Sequence, residues 1–137
     1  ESWETCCFGG FLFSKEVIKT FLKEKTAGTL IFTGASASLR GKANFGAFNS
    51  AKGALRNLAQ AIAKEYAPNS IHIGHVIVDG GLAGDKIKNR LSDFDERVKE
   101  GKLMNIESVT DAYMFLYNQN KNAWSFELDI RTSKENW

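Results

Sequence analysis

The segment Gly28-Thr29-Leu30-Ile31-Phe32-Thr33-Gly34 decides which fold the sequence predicts. Its centre, residues 29–33, is a run of β-branched, aliphatic and aromatic side chains that is too short for a helix. Near-continuous apolar runs of this kind are typical of strands that are covered on both faces of a parallel sheet. We therefore predict a buried parallel strand over residues 29–33, which ends at Gly34.

Long helical patterns flank this strand on both sides. Before it, residues 3–25 carry apolar side chains at helical spacing, and the turn at residues 26–28 is predicted to end that helix at Gly28. After it, small and polar residues form a loop, and residues 47–66 form a second helix that ends before Pro68. One face of this second helix is apolar, with Ala51, Leu55, Leu58, Ile62 and Tyr66.

Two more strands are predicted further along the chain. Residues 70–78 are rich in Ile, Val and His and precede a glycine-rich turn, whereas residues 124–130 alternate apolar and polar side chains as a half-buried strand does. Between them we predict a helix that starts at Asp85, a polar stretch through Gly101, and a helix over residues 107–116. Strands that alternate with helices indicate an α/β fold, with a short parallel sheet flanked by helices.

Composition restricts the class of protein. The 137 residues suit one domain, 1–137, and 43% hydrophobic residues with ten Phe supply a core. A net charge of +2 is too small for a nucleic-acid partner, and no apolar run is long enough for a membrane helix. Because neighbouring cysteines rarely form a disulfide, we predict that Cys6 and Cys7 are reduced thiols and that the protein is cytoplasmic. The first residue, Glu1, is not Met, which is typical of a fragment or a trimmed product.

The two histidines do not predict a metal site. His72 and His75 are three residues apart in a predicted strand, so they point to opposite faces of the sheet. No further ligands are near them in the sequence, and no metal is predicted.

The segment Phe48-Asn49-Ser50-Ala51-Lys52 resembles the Tyr-x-x-x-Lys helix of the short-chain dehydrogenases/reductases. The resemblance extends to residues 7–11, 28–34, 57–65, 71–80 and 124–130, which are similar to further helices and strands of that family. It implies the second half of a doubly wound dinucleotide-binding fold, that is, a truncated Rossmann-like sheet with three strands. It also implies a relation to NAD(P)-dependent oxidoreductases.

The catalytic positions that the resemblance assigns are mostly altered. In the family a Tyr transfers a proton, but Phe48 stands at that position and has no hydroxyl. Ala35 stands at the position of the family's Ser, and Cys6 at that of its Asn. Lys52 is the remnant, and the resemblance implies that it binds the nicotinamide ribose. Two more assignments follow from the resemblance: Ser36, or Ser38 after a loop shift, as a substitute for the missing Ser, and Gly80 and Gly81 as a lining for the nicotinamide.

The resemblance implies NAD or NADP as the cofactor, but the sequence does not predict tight binding to this chain. No G-x-G-x-x-G follows a predicted strand, and no acidic residue lies at the right distance to hold a ribose. The helix N-terminus that neutralises a diphosphate in such folds is therefore not identified. We expect the chain to be inactive alone.

Alternatives remain for the function and for single residues. Lys52 is otherwise a solvated or ion-paired lysine, and Phe48 a core or interface aromatic. A half fold leaves one sheet edge and one helix layer uncovered, so we predict a homo-oligomer through residues 3–24 and 47–66. The chain is then either part of a nicotinamide-dependent oxidoreductase or a non-enzymatic module for oligomerisation or interaction.

Overall fold

The sheet has three parallel strands in the order β1-β2-β3. The computed structural model of the chain describes residues 1–136, and Trp137, the last residue of the predicted domain, lies outside them. Strand β1 is Gly28–Ala35, β2 is Ile71–Val78 and β3 is Glu127–Ile130. Gly28 pairs with Ile71, and His75 pairs with Glu127, so β2 lies in the centre. The predicted α/β fold with a short parallel sheet is confirmed.

Helices cover both faces of this sheet. A π-helical turn at Glu4–Phe8 leads into the first helix, and short 3-10 turns follow β1 and α2, at Ser36–Ser38 and Ala67–Asn69. The α-helices are α1 Gly9–Glu24, α2 Gly46–Tyr66, α3 Asp85–Lys88, α4 Phe94–Lys99 and α5 Ile106–Tyr117. None of the helices within residues 1–136 has the length and apolarity that a membrane span requires.

Three boundaries differ from the predicted ones. The first helix ends at Glu24, and the next residue, Lys25, is in a left-handed conformation. Gly28 already belongs to β1, where a Cβ would lie 2.3 Å from the Phe21 ring. Part of the predicted polar stretch is α4, whose start is stabilised by a 2.8 Å bond from Arg97 to Asp93. Strand β3 begins only at Glu127, because the side chain of Gln119 binds the backbone and hydroxyl of Ser125 and holds that segment in a loop.

The hydrophobic core lies between the sheet and helices α1 and α2. Its buried members come from both helices and from β1 and β2: Ile18, Leu30, Phe32, Leu55, Ala59, Ile71 and Ile73. On the opposite face, α5 buries Leu116 completely, and a Cβ on Gly74 would lie 3.0 Å from its side chain. Helix α5 therefore approaches β2 closely because residue 74 has no side chain.

The two histidines of β2 are buried in separate environments. His72 stacks on Trp124 with 4.8 Å between ring centroids, and its Nε2 is 2.9 Å from the Ser125 carbonyl oxygen. His75 instead contacts Glu127. Residues 1–136 contain no cluster of three His, Cys, Asp or Glu side chains with the geometry of a metal site.

A polar cluster of Arg56, His75 and Glu127 ties α2 to the sheet. Arg56 donates two hydrogen bonds to the Glu127 carboxylate, at 2.6 and 2.9 Å, and His75 Nδ1 is 2.9 Å from Glu127 Oε2. Burial lowers the pKa of His75, against the opposing effect of Glu127. The hydrogen bond from Arg56 lowers the pKa of Glu127. A neutral imidazole that donates to a carboxylate is the protonation state that both shifts favour.

Replacing Leu116 with Ala tests the packing of α5 on the sheet. Because Leu116 is fully buried, we expect the substitution to lower the free energy of unfolding by about 2–5 kcal/mol. The neighbouring Phe115 is exposed, and Phe115→Ala should change stability by less than about 0.5 kcal/mol. Urea denaturation at a fixed protein concentration measures both values, and equal effects of the two substitutions would contradict the described packing.

The polar cluster predicts that acid destabilises the protein. The folded-state pKa values of His75 and Glu127 both lie below their ordinary values, so the unfolded chain binds more protons than the folded one. The free energy of unfolding should decrease below pH 6.5 as His75 contributes, and decrease further below pH 4.5 as Glu127 contributes. Denaturant titrations across this range measure the profile. His75→Phe should remove the first part of the decrease, and a variant profile parallel to that of the original chain would refute the assignment.

Candidate functional site

The carboxyl ends of β1 and β2 form the most informative edge of the sheet. In open α/β sheets, ligands bind in the crevice outside the carboxyl ends of the strands. Here β1 ends at Ala35 and β2 at Val78, and the first turns of α2 lie beside the 3-10 turn that follows β1. We call this region the carboxyl edge. It contains Lys52, Phe48 and the residues that follow each strand.

Lys52 is held at this edge by the backbone of β1. Its ammonium donates a 2.8 Å hydrogen bond to the Thr33 carbonyl and lies 5.9 Å from the centre of the Phe48 ring. Residues 48 and 52 are one turn apart on α2, so they share a face of the helix. The contacts of Lys52 are thus a carbonyl and a ring face, and the side chain is still partly exposed, so the alternative of a solvated lysine stays open.

Phe48 is 40% exposed at the start of α2. Its interpretation as a core aromatic is therefore wrong for this chain, while its role at an interface stays a prediction. The exposed ring and the Lys52 ammonium together present an apolar surface beside a positive charge.

The turn after β1 separates the candidate serines. Ala35 is half-buried, and its N–H donates to Ser38 Oγ at 3.2 Å. Ser38 is buried, whereas Ser36 is half-buried. The hydroxyl of Ser38 is thus used within the turn, and Ser36 is the more accessible of the two. No hydroxyl occupies position 35, and the substitution of Ser36 for the missing Ser stays a prediction.

The turn after β2 is covered on one side by this chain. Gly80 has a φ of +131°, a conformation that favours glycine, and a Cβ there would lie 3.0 Å from Glu135 Oε2. A Cβ on Gly81 would lie 2.7 Å from the Leu103 side chain, and Met104 N–H donates to the Gly81 carbonyl at 2.8 Å. Gly80 is exposed and Gly81 is half-buried, and the lining of a nicotinamide by both glycines stays a prediction.

A buried carboxylate, that of Asp79, joins the loops of the carboxyl edge. Its Oδ2 lies 3.0 Å from Arg131 Nη1, after β3, and 3.5 Å from Arg40 Nη2, after β1. Arg131 also pairs with Asp129. Sequence reasoning missed Asp79, although an acidic residue directly after a continuous apolar strand was a usable signal.

The thiols of Cys6 and Cys7 lie in the π-helical turn before α1. Both are free and half-buried. Burial raises the pKa of Cys7, and the neighbouring Cys6 raises it further. Because the thiolate is the reactive form, Cys7 does not have the environment of a nucleophile.

Comparisons with known proteins agree with this geometry. A family model described as short chain dehydrogenase matches residues 1–95. A short-chain dehydrogenase structure from Rhodopseudomonas palustris is 37% identical, with a TM-score of 0.71, and the match covers 95% of this chain and 50% of that one. L-xylulose reductase of Mesocricetus auratus is 26% identical over 114 residues, which are 80% of this chain and 47% of the relative.

A more distant structure has the same fold. The 3-ketoacyl-(acyl-carrier-protein) reductase from Brucella melitensis, in complex with NADH, is 20% identical with a TM-score of 0.70, and the match covers 89% of this chain and 51% of that one. This chain spans about half the length of the relatives it matches. Since the family model covers well over half of the residues, the chain belongs to the short-chain dehydrogenase family.

Proposed function

We propose that the chain is the carboxyl-side half of an NAD(P)-dependent oxidoreductase and supplies the ribose and substrate side of its site. On its own it neither binds a dinucleotide tightly nor transfers a hydride. The observation that carries the proposal is the Lys52 ammonium, held on the Thr33 carbonyl next to Phe48. We further propose that residues 1–137 form one domain and that the protein is cytoplasmic, which the two free thiols support.

The residues at the carboxyl edge suit one part of a dinucleotide. A lysine ammonium has three donors, and Lys52 uses one on Thr33, so two are available for ribose hydroxyls. The exposed backbone of Gly80 lies after the neighbouring strand and suits the adjacent ring. When bound, the nicotinamide supplies the hydride.

The diphosphate has no equivalent group. Strand β1 is followed by the turn Ser36–Ser38 and β2 by a turn with Gly80, Gly81 and Gly84, and neither is a G-x-G-x-x-G segment that opens a helix. The two negative charges of a diphosphate therefore have no G-x-G-x-x-G cradle of backbone N–H groups at these two turns of the described residues 1–136. This supports weak binding by the chain alone.

Proton transfer is the second missing function. Reduction of a carbonyl requires a proton at its oxygen, and Phe48 cannot provide one. Ser36 can donate a hydrogen bond to a substrate carbonyl and so orient it. Ordinary alcohol–ketone chemistry is therefore not expected from the residues of this edge.

A second function, oligomerisation, is supported by the apolar outer surface of the first helix. Its exposed apolar side chains include Phe11, Leu12, Phe13 and Leu22, and the exposed Phe8 precedes them in the π-helical turn. A groove of about 520 Å³ runs between α1 and α2, lined by Phe11, Ile18, Leu22, Ile62 and Tyr66 among others. Ser14, Lys15, Lys19 and Glu65 complete the lining of this groove. Several large exposed apolar side chains on one helix mark an interaction site, and we propose that a second copy of the chain covers them through residues 3–24 and 47–66.

Titration with NADH and with NADPH tests the first function. We expect no saturable binding in the micromolar range when nucleotide fluorescence is followed, because the diphosphate is unsupported. Lys52→Ala is the control and should give the same flat titration. Saturable binding that Lys52→Ala abolishes would refute weak binding while supporting the ribose role of Lys52.

Phe48→Tyr completes this test. The variant restores a hydroxyl one turn from Lys52, but we expect no hydride transfer, measured as the loss of NADH absorbance with a panel of ketones. Turnover by Phe48→Tyr would contradict the proposal that the missing diphosphate site is limiting.

The oligomeric state tests the second function. Sedimentation velocity should show a dimer or larger assembly for the original chain, and Phe13→Glu should dissociate it, because a carboxylate on exposed α1 cannot be buried unpaired. The matched control is Phe115→Glu on α5, which is similarly exposed and should leave the assembly intact. A monomer at all concentrations, or equal dissociation by both variants, would contradict the proposed interface.

A further inference from the structure

The polar cluster lies directly beneath the carboxyl edge. Arg56 is one helical turn after Lys52, so the two cations occupy the same face of α2. Arg56 donates two hydrogen bonds to Glu127 of β3, and Glu127 is hydrogen-bonded to His75 of β2. The cluster thus fixes the position of the imidazole from two directions.

The other ring nitrogen of His75 faces β1. Since Nδ1 donates to Glu127, Nε2 is an acceptor, and it has no hydrogen-bond partner among residues 1–136. A Cβ on Gly34 would lie 2.2 Å from Nε2 and 2.9 Å from Ser38 Oγ. The imidazole and the Ser38 hydroxyl therefore both lie against Gly34, which must be glycine for the ring to fit.

Along the chain, Gly34 lies between two backbone groups that make hydrogen bonds at the carboxyl edge. The preceding carbonyl, of Thr33, is the acceptor of Lys52, and the following N–H, of Ala35, is the donor to Ser38. Because Gly34 lies between them in the chain, a displacement of its backbone would move both groups.

We propose that His75 is a positioning residue of the carboxyl edge: held by Glu127 and Arg56, its ring fixes Gly34 and so sets the Thr33 carbonyl that orients Lys52. The proposal rests on the proposed function only in treating Lys52 as a ribose-binding group. It assigns no contact between His75 and a substrate, because the ring is fully buried.

A catalytic triad is the competing interpretation of these residues. Ser38, His75 and Glu127 have the order of nucleophile, base and orienting carboxylate. Ser38 is 9% exposed, its hydroxyl accepts the Ala35 N–H, and no hydrogen bond joins it to His75. Neither side chain is open to a substrate, and this favours a positioning role.

The charged groups that face His75 come from two elements. Glu127 of β3 favours the protonated ring, whereas Arg56 and Lys52 of α2 oppose it.

Nuclear magnetic resonance of the full chain tests the proposal without any nucleotide. The pH dependence of three signals is recorded: the His75 ring nitrogens, the Ala35 amide and the Lys52 ammonium. We expect the Ala35 and Lys52 signals to show an inflection at the pH at which the His75 ring titrates. In His75→Phe, which keeps a ring of similar size, this inflection should be lost, and the Lys52 ammonium signal should broaden as its bond to Thr33 loosens.

Glu127→Gln provides an independent variant if His75→Phe does not fold. It keeps the ring and removes the charge, so the His75 titration should move to lower pH and the Ala35 and Lys52 inflections should move with it. Ala35 and Lys52 signals without an inflection at the His75 titration, or unchanged signals in His75→Phe, would overturn the proposal. Because no nucleotide is present, these outcomes are independent of whether the chain binds NADH.

Discussion

The Glu127 carboxylate is the group through which the second helix, the central strand and the last strand are held together. A bidentate bond between a guanidinium and a carboxylate is directional as well as strong, so it fixes the rotation of α2 about its axis. That rotation decides which side chains of α2 point to the carboxyl edge. Lys52 and Phe48 lie on the same side of the helix as Arg56, which is bound to β3.

Apolar packing determines the rest of the arrangement. Ala51, Leu55 and Ala59 of α2 are buried, and small residues among them allow the helix to approach the sheet closely. Glycines have the same effect on both faces: Gly34 admits the His75 ring, and Gly74 admits Leu116. At Gly34 and Gly74 the sheet has no side chain on the face concerned, so neighbouring groups reach its backbone. The close approach of His75 to Gly34 contributes to the full burial of its ring, whereas His72 is covered by Trp124.

Local patterns predicted the strongest elements almost to their ends. The apolar run at residues 29–33 lies inside β1, and the helix predicted over residues 47–66 differs from α2 by one residue, because Pro68 and a continuous apolar face define it. The last strand was predicted too long, since alternation continues into a segment that Gln119 holds in a loop. The alternation of apolar and polar residues indicates which side chains face the core. Backbone hydrogen bonds determine the residue at which strand pairing begins.

The polar groups of the site could not be predicted in the same way. Arg56 and Glu127 are 71 residues apart, and His75 and Glu127 are 52 apart, so only the three-dimensional register brings them together. The resemblance to a known family identified Lys52 and the altered positions Phe48 and Ala35, because those lie within one helix and one turn. The resemblance assigned no role to His75. From the residue pattern alone, His75 was one of two histidines in a predicted strand.

The Thr33 carbonyl gives Lys52 a hydrogen-bond partner that does not depend on any ligand. Gly28 N–H donates to Ser70, so the alternation along β1 directs the Thr33 carbonyl away from β2, toward the outer edge of the sheet. An unpaired carbonyl at a sheet edge is a liability, and Lys52 satisfies it at 2.8 Å. On the other face, the Thr33 hydroxyl pairs with the Tyr113 hydroxyl at 2.7 Å, so the end of β1 is anchored by α2 and α5 together. Lys52 therefore has a structural role that is independent of any nucleotide, and its ammonium retains donors for a ligand because only one of the three is used.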